Sequence, residues 1–399
     1  MTSTRTARYV DVLALPRVPR TFGAALLGRA AYALVFLPLL YAVSEATGSI
    51  ALAGGAVAAY GAAASFLAPT RAWFIDRFGA RRVLSALVVL FASALVATAV
   101  ASLLSGSAGL LIASATVAGA VAPPLGPTMR VAWVSLAPDD DHLRTGLSLD
   151  AVVEELLYLA GPALAGLALV FLAPGLALLV PAVLVLVGGL LFAATPVIAE
   201  MPAHGRAAPN AERGRTLLAD RRFVGLLLPV LVAGSIAGSL GVAVPSALAD
   251  HGGSSAAGLA LGVFAGGSAV GGLLYGALKV SGSPTRQILV LSTLLLAASS
   301  AVAVATGAVA VSLVLALAGL FFSPVMIVAY VAAHTAGGEN RQNAATTWVN
   351  TSHNLGSAAG SAAAGVLVQA GGVTMAVGIG AVVWAALLGS SAVLARVHT

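Results

Sequence analysis

Twelve apolar stretches of roughly bilayer length recur along this chain with polar connections between them, and this recurrence limits the possible folds more than any other feature. A hydrocarbon core about 30 Å thick asks for roughly 20 helical residues at 1.5 Å each. Runs of that order fall at residues 21–44, 49–70, 82–104, 108–130, 145–173, 175–198, 222–249, 255–280, 286–306, 308–333, 342–369 and 372–395. The break at Ala173-Pro-Gly175 is the least marked. The 399 residues are 59% hydrophobic and only 9% charged, where a soluble domain carries about a quarter charged residues. Such a chain is predicted to be an all-α integral membrane protein of twelve transmembrane helices. Its 45 glycines suit close helix packing in lipid. The basic start (Arg5, Arg8, Arg17, Arg20) precedes a run too long for a signal peptide, so that run is expected to stay as the first span. There is no cysteine, which removes disulfides and thiolate metal sites.

The basic residues orient the spans. With the N-terminus in the cytoplasm, the odd-numbered connections hold no Lys or Arg. The even ones hold Arg71, Arg77, Arg81, Arg82, Arg144, Arg206, Arg213, Arg215, Arg221, Arg222, Lys279, Arg286 and Arg341, and Arg396 follows the last run on the same side. Membrane proteins place Lys and Arg on the cytoplasmic side, so both termini are expected there, in a multi-pass protein of the cytoplasmic (inner) membrane. The net charge of +6 is thereby a matter of topology and of contact with anionic lipid. Nucleic acid is not expected as a partner, because no aromatic residues are interleaved with the basic ones as a stacking surface needs.

One connection, from about Ala199 to Arg222, is long and polar. It divides the chain into an N-terminal six-helix bundle (1–198), a cytoplasmic linker (199–221) and a C-terminal six-helix bundle (222–399). The halves echo each other. Ala118-Gly-Ala-Val-Ala-Pro-Pro124 returns two hundred residues on as Ala318-Gly-Leu-Phe-Phe-Ser-Pro324. Glu154-Glu155-Leu156, Ala160-Gly161 and Ala165-Gly166 lie over His353-Asn354-Leu355, Ala359-Gly360 and Ala364-Gly365. Paired halves of this kind are a plan of secondary transporters.

Between the second and third runs the chain reads Ala72-Trp-Phe-Ile-Asp76-Arg77-Phe-Gly79-Ala-Arg81-Arg82. With twelve runs, a central linker and related halves, this resembles the major facilitator superfamily, whose loop at this place runs approximately Gly-x-x-x-Asp-Arg-x-Gly followed by a basic pair. Ala72 stands where that family has glycine. The resemblance implies two pseudo-symmetric six-helix bundles, and a latch in which Asp76 braces the halves near the start of helix 11, around Arg341 to Asn343. Arg77, Gly79, Arg81 and Arg82 complete that loop. In helix 5, Gly161-Pro162-Ala-Leu-Ala-Gly166 resembles an element of antiporter members, with a small-residue partner face in helix 8 at Gly262, Gly266-Gly267 and Gly271-Gly272. It points to a hinge or close packing site at Gly161, Pro162 and Gly166.

Ionisable residues within membrane helices are functional candidates by default. Here they are Arg29 in helix 1, Arg130 at the inner end of helix 4, Asp150, Glu154 and Glu155 in helix 5, and His353 in helix 11. Asp150 and Glu154 are four apart and share a helix face. One expectation is a buried pair of Arg130 with a carboxylate that braces helices 4 and 5. The other is proton coupling at Glu154, Glu155, Asp150 or His353, with Arg29 and Arg130 as charge partners. Burial strengthens a carboxylate's hold on a proton and a nearby arginine weakens it. Glu154 is the foremost carboxylate, because its mate in the repeat, His353, is also titratable. Helices 1, 4, 7 and 10 line the family's central cavity. The candidates for it here are Arg29, Tyr32, Phe36, Tyr41, Pro123, Pro124, Met129, Trp133, Phe321, Phe322, Met326 and Tyr330, together with Asn350 from helix 11. That lining suits a hydrophobic or amphipathic small molecule.

No nucleotide-binding loop and no metal-ligand spacing is present. The expected function is therefore secondary transport by alternating access, with a proton gradient as energy source, no cofactor, no enzymatic activity and no requirement for an oligomer. Export is expected; uptake of a nutrient, or a non-transporting sensor or assembly role, are the alternatives.

Overall fold

The structure is a computed structural model that describes residues 8–201, 217–277 and 282–396. Most of the linker, residues 202–216, lies outside the described residues. The main helices are α1 (Val18–Thr47), α2 (Ile50–Phe66), α3 (Ala68–Phe78), α4 (Ala80–Leu103), α5 (Ala108–Val121), α6 (Leu125–Leu136), α7 (Asp140–Phe171), α8 (Leu179–Ala193), α9 (Arg221–Ala247), α10 (Gly253–Ala277), α11 (Pro284–Ser300) and α12 (Gly307–Arg396). Among the described residues nine helices are long and apolar enough to cross a membrane, or ten if the bent pair α2 and α3 is one span. Within α7, Ala160–Phe171 is a shorter apolar stretch. Helix starts carry the expected caps: Ser49, Ser107, Asp139, Asp220 and Ser283 each accept a hydrogen bond from a backbone N–H two or three residues on.

Helical backbone runs from Gly307 to Arg396 without a break, yet 90 residues in one rod would be about 135 Å long. Side-chain contacts show that α12 folds back twice. The Phe322 ring faces His353, with centroids 5.8 Å apart, and Tyr330 donates to Asn350, so the chain reverses between these residues. Ser361 Oγ bonds Gly238 O further along α9, whereas Trp384 Nε1 bonds Ser235 and Ser391 Oγ bonds Gly225 O in the opposite order. The second reversal therefore lies near Gly372, whose φ of +77° suits glycine.

The stretch between the second and third runs corrects the expectation of a polar loop. It is helical on both sides of a single corner residue, Gly79, with φ +90°. The expected break at Ala173-Pro-Gly175 is present: α7 ends at Phe171 and a new helical turn begins at Pro174.

Buried apolar side chains gather in two large clusters, one of residues 12–198 with Val242 and Ala364, the other of residues 217–388. Glycines set the closest helix crossings, and the same crossings recur about two hundred residues on. A Cβ at Gly119 would lie 2.1 Å from Tyr60 O, and one at Gly319 2.1 Å from Phe264 O. At Gly161 it would meet Ala33 O at 2.6 Å, and at Gly360 Ser235 O at 2.1 Å. The two clusters approach each other along two related helix pairs. Gly54 of α2 packs on Ser361 and Gly365 of α12, and Gly166 of α7 packs on Ser254 and Gly258 of α10. Here the glycine face predicted for helix 5 needs correction. Gly267 and Gly271 of α10 meet Ala316 and Leu320 of α12 instead, because they lie beyond the point where α7 crosses α10. Beside the Gly54 crossing, Gln369 Oε1 accepts from Ser49 Oγ at 2.5 Å and from Ala51 N at 3.0 Å.

Candidate functional site

Four charged side chains from three helices converge beside the break between α5 and α6. Arg29 comes from α1, Arg130 from α6, and Asp150 and Glu154 from one face of α7. The approach of α1 to α7 depends on Gly161, since any side chain there would overlap Ala33. Arg29 lies one turn before Ala33, which carries its guanidinium to the carboxylates.

Arg29 Nη1 donates to Asp150 Oδ1 at 2.6 Å, and its Nη2 lies 2.9 Å from Glu154 Oε2. Arg130 reaches the same two acids: Nη2 donates to Glu154 Oε2 at 2.5 Å, and Nε is 3.6 Å from Asp150 Oδ2. Arg29 Nη2, beside Glu154 Oε2, and Asp150 Oδ2, beside Arg130 Nε, each lie within ion-pair distance of that neighbour without an aligned hydrogen bond. Two cations and two anions make the cluster neutral, and each arginine touches both carboxylates. Exposure ranks them: Arg29 and Asp150 are buried, Glu154 is 22% exposed and Arg130 51%. The expected Arg130–carboxylate pair is thus present, but the fully buried partnership is Arg29 with Asp150. A buried pair of this kind is strongly destabilised by loss of one partner.

A cavity of about 140 Å³ opens onto this cluster, lined by Arg29, Tyr32, Ala33, Pro123, Pro124, Leu125, Gly126, Pro127, Glu154 and Leu157. Its size corresponds to a few waters at about 30 Å³ each, below the roughly 300–1,000 Å³ of most small-molecule sites. The wall opposite Glu154 is the gap between α5 and α6, where Pro123 and Pro124 interrupt the helix. Tyr32 Oη donates to Pro123 O at 2.5 Å across the cavity. Arg29 and Glu154 thus face the cavity together, beside a wall that the two prolines interrupt.

Of the other cavity candidates, Met129 and Trp133 are fully buried. Trp133 packs on Phe22 with ring centroids 5.4 Å apart, and Gly146 leaves space for its indole, so both residues belong to the core rather than the cavity. Phe36 is 44% exposed and lies edge-on to Tyr60, and Tyr41 is partly buried among Leu34, Leu37 and Ala165. Phe321, Phe322, Met326 and Tyr330 pack against the second core cluster and do not reach this cavity. Phe322, in edge contact with both Phe264 and His353, and the Tyr330–Asn350 hydrogen bond form a separate polar-aromatic group. In that group His353 Nε2 is buried without a hydrogen-bond partner among the described residues. The side chains of Asp76, Glu155 and Arg341 lie outside the described residues, and with them the predicted latch. Arg77, Arg81 and Arg82 flank Gly79 on exposed surface.

Arg71 was missed. Expected as a loop charge, it is instead 7% exposed within α3. The signal was present in the sequence, because Pro123-Pro124 leaves two carbonyls without their helical donors and a buried donor has to come from elsewhere.

Comparison with known proteins adds to this geometry. The profile of the Major Facilitator Superfamily matches residues 21–247. No curated protein sequence matches the chain. Among solved structures, the nucleoside transporter NupG superposes with a TM-score of 0.74 at 14% identity, covering 96% of this chain and 98% of its own. A bacterial homologue of the human lysosomal transporter Spinster, inward-facing and unoccupied, gives 0.66 at 14% identity over 95% and 93%. A POT family transporter in complex with 5-aminolevulinic acid gives 0.65 at 13% identity over 96% and 97%.

Proposed function

Because the chain belongs to the major facilitator superfamily, we propose that it is a proton-coupled secondary transporter that exports a small hydrophobic or amphipathic molecule across the cytoplasmic membrane. It is a multi-pass membrane transporter and not an enzyme. Twelve passes with both termini inside, arranged as bundles 1–198 and 222–399, agree with the double reversal of α12 and the recurring glycine crossings.

The observation that carries proton coupling is the neutral Arg29–Asp150–Glu154–Arg130 cluster at the cavity wall. Asp150, wholly buried against Arg29, acts as the fixed counter-ion. Glu154 is partly exposed, lines the cavity and is the group a proton reaches through water. Protonating Glu154 leaves two arginines sharing one carboxylate. Their repulsion acts between α1 and α6, and α6 is free to tilt at Pro123-Pro124. Deprotonation draws Arg130 back. Alternating access then follows as the halves rock along the Gly54–Gly365 and Gly166–Gly258 crossings. The export direction is favoured by the Gly161-Pro162…Gly166 element, whose two glycines hold α7 against α1 in one half and α10 in the other.

The test is reconstitution in vesicles with an imposed pH gradient and a screen of candidate compounds. Wild type is expected to couple flux to the gradient. Glu154→Gln should lose pumping while retaining exchange at equal pH. Gradient-driven accumulation that persists in both Glu154→Gln and Asp150→Asn overturns the proton assignment. Raised cellular accumulation on expression would replace export with uptake.

A further inference from the structure

The break that forms one wall of the cavity is held from behind by a single side chain. A proline removes its own N–H and so frees the carbonyl four residues earlier. Pro123 removes the donor four residues on from Gly119 O, which keeps only a long bond of 3.3 Å from Ala122 N, and Pro124 frees Ala120 O. Arg71 Nη1 donates to both, at 3.1 and 2.9 Å. Its other terminal nitrogen, Nη2, donates to Ala64 O in the last turn of α2. That carbonyl sits beside the second break of the region, where α2 and α3 meet at 43° around Leu67. One planar guanidinium thus satisfies carbonyls at two helix interruptions, and it does so while 7% exposed.

A lysine cannot do this equally well. Its ammonium is a single point of donors, whereas the arginine fork places separate N–H groups in fixed directions. A buried carbonyl left unmatched is costly, so the pairing fixes where the interruption stands. On the cavity side the same segment is held by Tyr32 at Pro123 O and by Thr128 Oγ1 at Pro124 O, 2.8 Å away.

We propose that Arg71 is a positioning residue for the transport site: it fixes the Pro123–Gly126 wall and ties the α5/α6 hinge to the α2/α3 hinge, so that the two bend together. The functional meaning of this rests on taking the cavity as the transport site, but its test needs neither substrate nor proton flux.

The chain has no cysteine, so Gly126→Cys provides a sole thiol in the wall. An added Cβ there meets Arg29 Nε and Glu154 Oε1 at 3.7 Å, ordinary contact. The purified full chain bearing this reporter is compared by thermal unfolding and by N-ethylmaleimide reaction rate. Arg71→Leu and Arg71→Lys are each introduced with and without Pro123→Ala/Pro124→Ala, which restores the missing N–H groups. Expected are a lower Tm and a severalfold altered thiol reaction rate for both Arg71 variants in the proline background. In the alanine background Arg71→Leu should lower Tm markedly less. Two results overturn the proposal. One is an equal Tm loss in both backgrounds, which separates Arg71 from the freed carbonyls. The other is an Arg71→Lys chain indistinguishable from wild type in Tm and thiol rate, which reduces Arg71 to a topological charge. If Arg71→Leu fails to fold in the proline background, folding restored by the two alanines supports the proposal, and failure in both counts against it.

Discussion

Gly54→Ala is expected to shift the protein away from the conformation described here. In this conformation a Cβ on Gly54 would sit 2.6 Å from Ser361 O and 3.1 Å from Gly365 Cα, both backbone atoms of the opposite half. Ordinary contact begins at 3.4 Å, and no flexible side chain is available to give way. The crossing has to open, and overpacking of this kind costs about 1–3 kcal/mol. Only the state in which the crossing is closed carries that cost, so the conformational equilibrium moves by about 5–150-fold. Gly166→Ala acts at the related crossing, where the added Cβ meets Ser254 O at 2.8 Å and Gly258 Cα at 2.9 Å, and it should shift the same equilibrium in the same direction. Gly55→Ala is the control. It neighbours Gly54 on the same helix but has nothing within 4 Å. The assay is reaction of the Gly126→Cys reporter with a membrane-impermeant maleimide added to each side of sealed vesicles. Reaction from the side bearing Ser49 and Gln369 should rise in Gly54→Ala and in Gly166→Ala, and rise further when both are combined. Rates from both sides equal to those of Gly55→Ala would refute the claim that these crossings close the access path.

Further expectations follow from the same contacts. Gln369→Ala removes the acceptor shared by Ser49 Oγ and Ala51 N; the site is exposed, so the loss is about 0.5–1 kcal/mol, and labelling from that side should rise less than in Gly54→Ala. Asp150→Asn leaves the buried Arg29 with one carboxylate, and loss of one partner in a buried pair costs about 3–5 kcal/mol. Glu154→Gln removes a partly exposed acid, so the fall in Tm should be greater for Asp150→Asn, and the reverse order would contradict the assigned roles. Asp139, exposed ahead of α7, accepts from His142 N at 2.9 Å, and this backbone hydrogen bond holds its carboxyl below the usual range. A lowered native value means that the cap stabilises α7 above the unfolded carboxyl's value near 3.9, and is lost as pH falls through the lowered one. Hydrogen exchange at His142 N–H should therefore be protected at neutral pH and lose protection only in acid, whereas Asp139→Ala should lack protection throughout.

How much of this was present in the bare sequence differs by residue. The apolar runs, their alternation of basic ends and the corner at Gly79 answer to the bilayer, a solvent that acts along one dimension of the chain. Each residue meets lipid, headgroup or water according to its depth, so a linear pattern records it. The kinship of the halves was also legible, and the paired crossings of Gly119 with Tyr60 and Gly319 with Phe264 show what its glycines do. Lateral choices left no such trace. Trp133 and Met129 lie on a helix that lines the family's cavity, yet both turn to the core, because Gly146 of the next helix makes a slot for the indole. The glycines at 267 and 271 look like a partner for helix 5 but are used by α12, since the crossing with α7 falls earlier, at Gly258. Arg71 shows the division most clearly. Its charge places it at one end of a span, as the sequence predicts. Its work, however, depends on two carbonyls almost fifty residues away, and only packing in three dimensions brings a donor to acceptors whose regular helical donors the prolines have removed.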